Sequence, residues 1–220
     1  MNQMMSKSLP SCTLLPMPSF ACENCNKNFT VQSATLAKFP GWKPKRCFNC
    51  KKESSTSGSR EQNLTTAEVL EKYTAGPISG VFTDGAAEPN PGPGGWGAVY
   101  VVDGKIIAED YGHEAHTTNN RMELEALIAA CKLVPRNERA TIHTDSQLCV
   151  NTINIWAKDW EAKGWKKKKG EIKNLELVQE LYELFHGHPG LKLEWIKAHD
   201  GNKWNEYADA LATAYRRKVK

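Results

Sequence analysis

Four carboxylates are spaced so that a folded sheet could gather them. Asp84 ends a short apolar run before Gly85, Glu123 lies on the first turn of an amphipathic stretch, Asp145 follows the short run Thr141 to Thr144, and Asp209 lies in the last amphipathic stretch. If the runs are strands and the stretches helices, their ends can meet at one edge of a sheet. Acidic groups from separate elements would repel one another there unless cations joined them. Magnesium takes oxygen ligands and keeps several waters, so a few carboxylates suffice for two ions about 3.5 to 4 Å apart that flank a phosphate. Any one of these residues alone reads equally well as a solvated surface acid.

The second set able to do chemistry is made of sulfur. Four of the seven cysteines form Cys22-x-x-Cys25 and Cys47-x-x-Cys50, with 21 residues between the pairs. Each pair puts two thiols on one turn, and two facing turns complete a tetrahedron for one structural Zn²⁺. Disulfides or a redox dithiol are the weaker reading, because no export signal and no βαβ frame accompany the pairs. The segment also resembles small zinc-ribbon modules, with Phe29 after the first pair and Lys43-Pro44-Lys45-Arg46 leading into the second. Cys12, Cys131 and Cys149 have no partner at ligand spacing, and the last two fall in apolar helical patterns.

The elements that must position the carboxylates can be read from periodicity and turn chemistry. Thr65-Thr66-Ala67-Glu68 is a capping box that opens a short helix to about Tyr73, before Ala75-Gly76-Pro77 breaks it. Strands are expected from Ile78 to Thr83, Gly95 to Val102 and Lys105 to Tyr111, the last two joined by Asp103-Gly104 as a type I′ turn. A helix is expected over Asn120 to Val134 with Pro135 ending it, a strand over Thr141 to Thr144, and a helix capped by Ser146. Asn174 reads as the cap of a further helix, Leu191 to Ile196 as a strand and Trp204 to Arg216 as the last helix. The order βββαβααβα implies an α/β protein with a mixed sheet covered by helices. Gly92-Pro93-Gly94-Gly95-Trp96-Gly97 satisfies a dinucleotide-binding pattern, but no helix opens at it, so it reads as a hairpin turn.

Composition divides the 220-residue chain. Residues 1–60 carry 9 Lys and Arg against 2 Asp and Glu, whereas the remainder carries 20 against 23. The expected organisation is a disordered tail over 1–19, a zinc-ribbon-like module over 20–53, a Ser/Gly-rich linker over 54–63 and a main domain over 64–220. A basic appendage is drawn to polyanions, of which nucleic acid is the commonest inside cells. No apolar run approaches the roughly 20 residues of a membrane span, and residues 1–20 lack the apolar core of a secretory signal. The expectation is a cytoplasmic, intracellular protein without membrane partners.

Around the carboxylates the sequence resembles type 1 ribonuclease H. The matching motifs are Phe82-Thr83-Asp84-Gly85, Asn90-Pro91-Gly92-Pro93-Gly94-Gly95, Thr118-Asn119-Asn120-Arg121-Met122-Glu123-Leu124, Thr144-Asp145-Ser146-Gln147 and Ala198-His199, with Asn205-Glu206 ahead of Asp209. The resemblance implies a ribonuclease H-like mixed five-stranded sheet flanked by helices. It also implies an endonuclease that hydrolyses the RNA strand of RNA/DNA hybrids, leaving 5′-phosphate and 3′-hydroxyl ends; a monomer is the separate expectation. Asp84, Glu123, Asp145 and Asp209 would hold two Mg²⁺, with Mn²⁺ as an alternative, and His199 would assist proton movement or product release. Asn90, Asn119, Asn120 and Gln147 fall on positions that contact both strands near the metals, and Thr118 on one that holds a DNA phosphate. Trp156, Trp160 and Trp165 with Lys163 and Lys166 to Lys169 resemble a basic protrusion, in which indoles pack on DNA sugars and lysines meet phosphates. Trp96 and Trp195, within strands, are expected in the core.

Three features depart from that family. Ala86-Ala87-Glu88-Pro89 replaces the small or polar residues often found after the first aspartate, and Asp200 adds a charge beside His199. The zinc-ribbon-like segment is absent from the family's hybrid-binding module, and salt-sensitive nucleic-acid affinity is its expected contribution. The competing readings are a catalytically silent nucleic-acid-binding protein and a same-fold enzyme of the integrase or exonuclease kind. The intact quartet argues against the first, and Glu123 with the preceding Asn pair against the second.

Overall fold

The computed structural model describes residues 17–38, 43–47, 50 and 63–217. The expected tail up to residue 16, Cys12 and most of the Ser/Gly-rich linker lie outside the described residues. The chain divides into two compact units, Met1–Gln62 and Asn63–Lys220.

In the first unit β1 (Ser19–Ala21) pairs antiparallel with β2 (Asn28–Thr30), Ser19 facing Thr30, and α1 (Ser33–Lys38) follows. Ser19, expected in the tail, is therefore part of a strand pair. Between the strands the chain reverses at a knuckle: Asn26 N–H donates to Cys22 O at 2.9 Å, and Cys22 N–H to Lys27 O at 3.0 Å. Asn26 holds φ +55°, a left-handed value that asparagine tolerates well.

The second unit starts with α2 (Thr66–Lys72), whose capping box is formed in both directions between Thr65 and Glu68. Five strands follow in the spatial order β5-β4-β3-β6-β7. They are β3 (Gly80–Ala87), β4 (Gly92–Val102), β5 (Lys105–Thr117), β6 (Ala140–Thr144) and β7 (Leu191–Trp195). The three early strands are antiparallel, and β6 and β7 add parallel to β3. The mixed five-stranded sheet inferred from the element order is thus present. Asp103 and Gly104 both take positive φ, +50° and +74°, as a type I′ hairpin needs.

Helices cover both faces. α3 (Asn119–Leu133) and α6 (Leu175–His186) enclose one core with Val81, Tyr100, Leu127, Ile142 and Leu181. α7 (Lys203–Ala212) and α2 enclose the other with Phe82, Val99, Val101, Trp204 and Leu211. Neighbours such as Val81 and Phe82 serve opposite cores because side chains alternate along a strand.

Local departures from the expected elements have physical causes. The glycine run 92–97 lies inside β4 and not at a turn, because α7 packs directly on that strand: a Cβ on Gly97 would come within 2.4 Å of Leu211 Cβ. The helix after Ser146 runs as α4 (Gln147–Asn151), a π-helical turn (Thr152–Trp156) and α5 (Ala157–Glu161), and Ser146 makes no side-chain cap bond. Asn174 does not cap α6 by its side chain either; it enters the helix from a left-handed conformation at φ +52°. The last helix stops at Ala212, where Thr213 Oγ1 donates back to Asp209 O at 2.8 Å, and continues only as the 3₁₀ turn Ala214–Arg216. No helix among the described residues is long and apolar enough to cross a membrane.

Candidate functional site

The acidic site assembles where the pairing of β3 with β6 ends, past the carboxyl end of β6 and midway along β3, which continues to Ala87 beyond the expected Thr83. Because these strands run parallel with Thr83 beside Thr144, the next residues, Asp84 and Asp145, emerge side by side. Glu123 arrives from the first turns of α3, whose start is fixed by Thr118 as N-cap. Gly85 permits that approach, since a Cβ there would lie 2.3 Å from Glu123 N. One carboxylate oxygen each from Asp84, Glu123 and Asp145 lies within 4.8 Å of the others. Asp209, on α7, hydrogen-bonds the Asp84 side chain from the other side of the sheet. All four predicted acidic residues therefore meet at one place.

The electrostatics of this cluster are unfavourable without a cation. Burial first, then the charges of Glu123, Asp145 and Asp209, push the Asp84 carboxyl well above the usual carboxylate range. Burial and Asp145 do the same to Glu123. Burial also raises Asp145, opposed by His199 and by a hydrogen bond from Asn205. Glu123 Oε2 is buried without a hydrogen-bond partner. Hard oxygen donors, mutual repulsion and an orphaned carboxylate oxygen are together what a divalent cation of the magnesium type would satisfy.

Positioning groups surround the carboxylates. Asn205, 2% exposed, bonds Asp145 through its side chain, and Trp195 Nε1 donates to Asp145 O at 2.9 Å. Trp195 is thus not the core residue expected from its strand; it is 47% exposed at the end of the outermost strand, with its indole tied to the site's backbone. His199 sits on the loop before α7 at φ +48°, its side chain 45% exposed and Nδ1 3.8 Å from Glu206 Oε2. Asp200, the added loop charge, is paired with Lys197 at 2.6 Å. Asn205 and Glu206 belong to a matched motif, yet nothing in residue type assigns either a task. The available signal is spacing: Asn205 and Asp209 stand one helical turn apart on α7.

The expected substrate residues divide. Asn119 Oδ1 accepts from Ala87 N–H at 2.6 Å, and Asn90 Oδ1 from Asn119 N–H at 3.3 Å, so these amides hold the β3–β4 loop against the start of α3. Thr118 Oγ1 caps α3, and Gln147 Nε2 donates to Asn151 at 3.1 Å. Trp165 packs edge-on against Tyr182 at 5.6 Å, and Trp160 is half-buried against the same core. Trp156 is exposed, tilted against Trp160 at 6.1 Å, and Lys163 and Lys166 are exposed beside them. Asn120, Leu148, Trp156, Trp160 and Lys173 line a cavity of about 250 Å³ there. Trp96 is half-buried against the core, close to expectation.

The sulfur site lies in the first unit. The Sγ atoms of Cys22, Cys25, Cys47 and Cys50 all fall within 4.8 Å of one another, and the thiols are free, with Cys25 and Cys47 3.8 Å apart. Glu23 N–H donates to Lys45 O at 2.8 Å, which ties the two Cys turns together. The backbone N–H of Cys47 donates to Cys22 Sγ at 3.3 Å and is the main cause lowering that thiol to about 6. Four facing sulfurs, one already favouring thiolate, suit zinc. Cys131 and Cys149 are buried core thiols, both pushed up to about 12 by burial.

Comparison with known proteins points the same way. The family model for RNase H matches residues 78–217. A Ribonuclease H of Francisella tularensis subsp. novicida (strain U112) is 48% identical over 132 residues, spanning 60% of this chain and 86% of that one. One from Methylorubrum extorquens (strain PA1) is 42% identical over 139 residues, 63% of this chain and 60% of the other. Among solved structures, LC9-RNase H1, described as a type 1 RNase H with the type 2 active-site motif, aligns with TM-score 0.51 and 31% identity, covering 64% of this chain and 74% of that one.

Proposed function

The chain belongs to the RNase H family through residues 78–217, and from that premise we propose that it hydrolyses the RNA strand of RNA/DNA hybrids by a two-metal mechanism at Asp84, Glu123, Asp145 and Asp209. The observation that carries the reading is the mutual approach of Asp84, Glu123 and Asp145 to within 4.8 Å with an orphaned Glu123 oxygen among them. When bound there, Mg²⁺ or Mn²⁺ supplies a water acidic enough to attack phosphorus at neutral pH and positive charge for the departing 3′ oxygen.

The chain's own residues do the rest. Asp84, Glu123, Asp145 and Asp209 would hold the ions, Asp84 lying between Asp209 and the Glu123–Asp145 pair. Asn205 holds the Asp145 carboxylate and Trp195 its backbone carbonyl, so that the charge stays aimed at the cluster. His199, half-exposed and backed by Glu206, can take up or return a proton at the solvent side of the site. Recognition reads duplex shape and the 2′-hydroxyls of one strand, since RNA is distinguished by those groups and not by a base code. The free amide hydrogens of Asn90, Asn119 and Asn120 are available to the minor groove, while Trp156 with Lys163 and Lys166 serves the DNA strand.

The first unit holds one structural Zn²⁺ through Cys22, Cys25, Cys47 and Cys50, and its basic residues add nucleic-acid affinity. Displacement of the 3′ oxygen fixes the product ends. Fragments cut from an internally labelled hybrid should become substrates for 5′ phosphorylation only after phosphatase treatment, and should be extendable by a polymerase without treatment. Products with free 5′-hydroxyls, or with blocked 3′ ends, would contradict the proposed direction of attack.

A further inference from the structure

Ahead of the family-matched region, residues 63–76 are fastened to α7 at three levels. At its start, Arg217 Nη1 donates to Asn63 Oδ1 at 3.1 Å and to Leu64 O at 2.8 Å, while its Nη2 donates to Ala210 O on α7. In the middle, Val69, 1% exposed, is packed with Trp204, Tyr207 and Leu211, and Thr66 hydrogen-bonds the Tyr207 hydroxyl. At the end, Ala75 forms a parallel bridge with Asn202, and Lys203 N–H donates to Ala75 O at 2.8 Å. Asn202 is the N-cap of α7, accepting from Trp204 N–H at 3.1 Å and Asn205 N–H at 3.4 Å. Gly76, at φ +124°, lies so close that a Cβ there would sit 2.7 Å from Asn202 Oδ1.

The residues that follow this cap on α7 face the acidic site. Within two turns after Asn202 come Asn205, which holds Asp145, Glu206, which faces His199, and Asp209, which bonds Asp84. His199 itself lies three residues before the cap. We propose that residues 63–76 are a positioning strap, which seats the N-cap of α7 and thereby sets the register of Asn205, Glu206, Asp209 and the His199 loop against the strand-borne carboxylates. The inference rests on the reading of that cluster as the catalytic centre. Gly76 and Asn202 are its positioning residues; neither touches the carboxylates.

The test is Gly76→Ala in the full chain, whose added methyl must displace the Asn202 amide. A misplacement of the order of 1 Å at reacting groups costs up to about 100-fold. The expected result is a fall in kcat of about 10- to 100-fold with KM within about twofold, and a higher Mg²⁺ concentration for half-maximal rate. Amide exchange at Lys203 and Asn205 should be about 10-fold faster, a readout independent of catalysis. Gly76→Ala/Asn202→Ser should recover part of the rate, because serine is shorter and caps about as well, while the strain of alanine at φ +124° remains. Val69→Ala, which loosens the strap without touching the cap, should give a smaller loss of the same kind. Leu181→Ala, in the opposite core, should lower the melting temperature and leave kcat within about twofold. The strap is overturned by a Gly76→Ala kcat within twofold of wild type. It is equally overturned by a loss that Leu181→Ala reproduces, that Asn202→Ser fails to relieve, or that comes without faster exchange. If the wild-type chain cleaves nothing, the functional reading fails while the exchange data still judge the strap.

Discussion

Asp145→Asn should lower the rate of hybrid cleavage by about 10³-fold or more and leave the chain folded. The substitution keeps shape, and the new amide oxygen can still accept from Asn205, while Trp195 bonds the backbone carbonyl and is untouched. Only a charge is lost. A cation site supplies several kcal/mol of transition-state stabilisation, and about 4 kcal/mol corresponds to the stated factor. The same variant carries an opposite effect on stability. Burial first, and neighbouring acids second, raise the carboxyls of Asp84 and Glu123, and burial raises Asp145. Raised carboxylates contribute stability that is present below the ordinary carboxylate range and lost as pH rises through their folded-state values. Chelated wild type should therefore melt progressively lower from pH 5 to pH 8, and Mg²⁺ should reverse the loss. Chelated Asp145→Asn should melt higher than chelated wild type at pH 8, with the gain shrinking as pH falls. Thermal melts across that range decide the point, and an Asp145→Asn protein that cuts at near wild-type rate would remove Asp145 from the metal ligands.

Withdrawal of zinc should unfold the first unit and spare the second. Two strands of three residues each cannot supply a core, so the four thiolates must carry the fold. Structural zinc binding in small modules of this kind is worth about 10 to 16 kcal/mol in apparent free energy at neutral pH. Metal analysis of the purified chain should find one zinc. A strong chelator, or Cys25→Ser, should open residues 17–50 to limited proteolysis while residues 63–217 stay resistant. Binding to a hybrid at low salt should weaken, and the slope of log affinity against log salt should fall by about 1 for each phosphate that the unit no longer neutralises. Identical digestion patterns with and without chelator would remove the zinc assignment, and unchanged binding would remove the affinity role.

Most of the architecture is legible in the sequence because local signals agree with the global fold. The Thr65–Glu68 capping box, the Asp103-Gly104 turn and the helical stripe ending before Pro135 each have a short-range cause that tertiary packing does not override. The acidic centre is legible for a different reason: Asp84 and Asp145 follow paired strand residues and Glu123 and Asp209 lie on helices, and the sequence reveals the order of those elements. What escapes depends on neighbours distant in sequence. Trp195 looks like any core aromatic in a strand until β7 proves to be the outermost one. The π-helical turn at Thr152–Trp156 leaves no mark in a 3.6-residue pattern of so few residues. Asn90 and Asn119 present the same amides whether they face a duplex or their own backbone, and here the Asn119 carbonyl accepts from Ala87 N–H and the Asn90 carbonyl from Asn119 N–H. The bonds of residues 63–76 to α7 join positions more than 120 apart in sequence, beyond any local rule.

The central claim is most directly tested by offering the purified full chain matched, end-labelled RNA/DNA, RNA/RNA and DNA/DNA duplexes with Mg²⁺ and with EDTA. The RNA strand of the hybrid alone should be cut, and cutting should be abolished by EDTA and restored by added Mg²⁺ or Mn²⁺. Binding of the hybrid without cutting under every metal tried, or cutting that persists in EDTA, would contradict the claim.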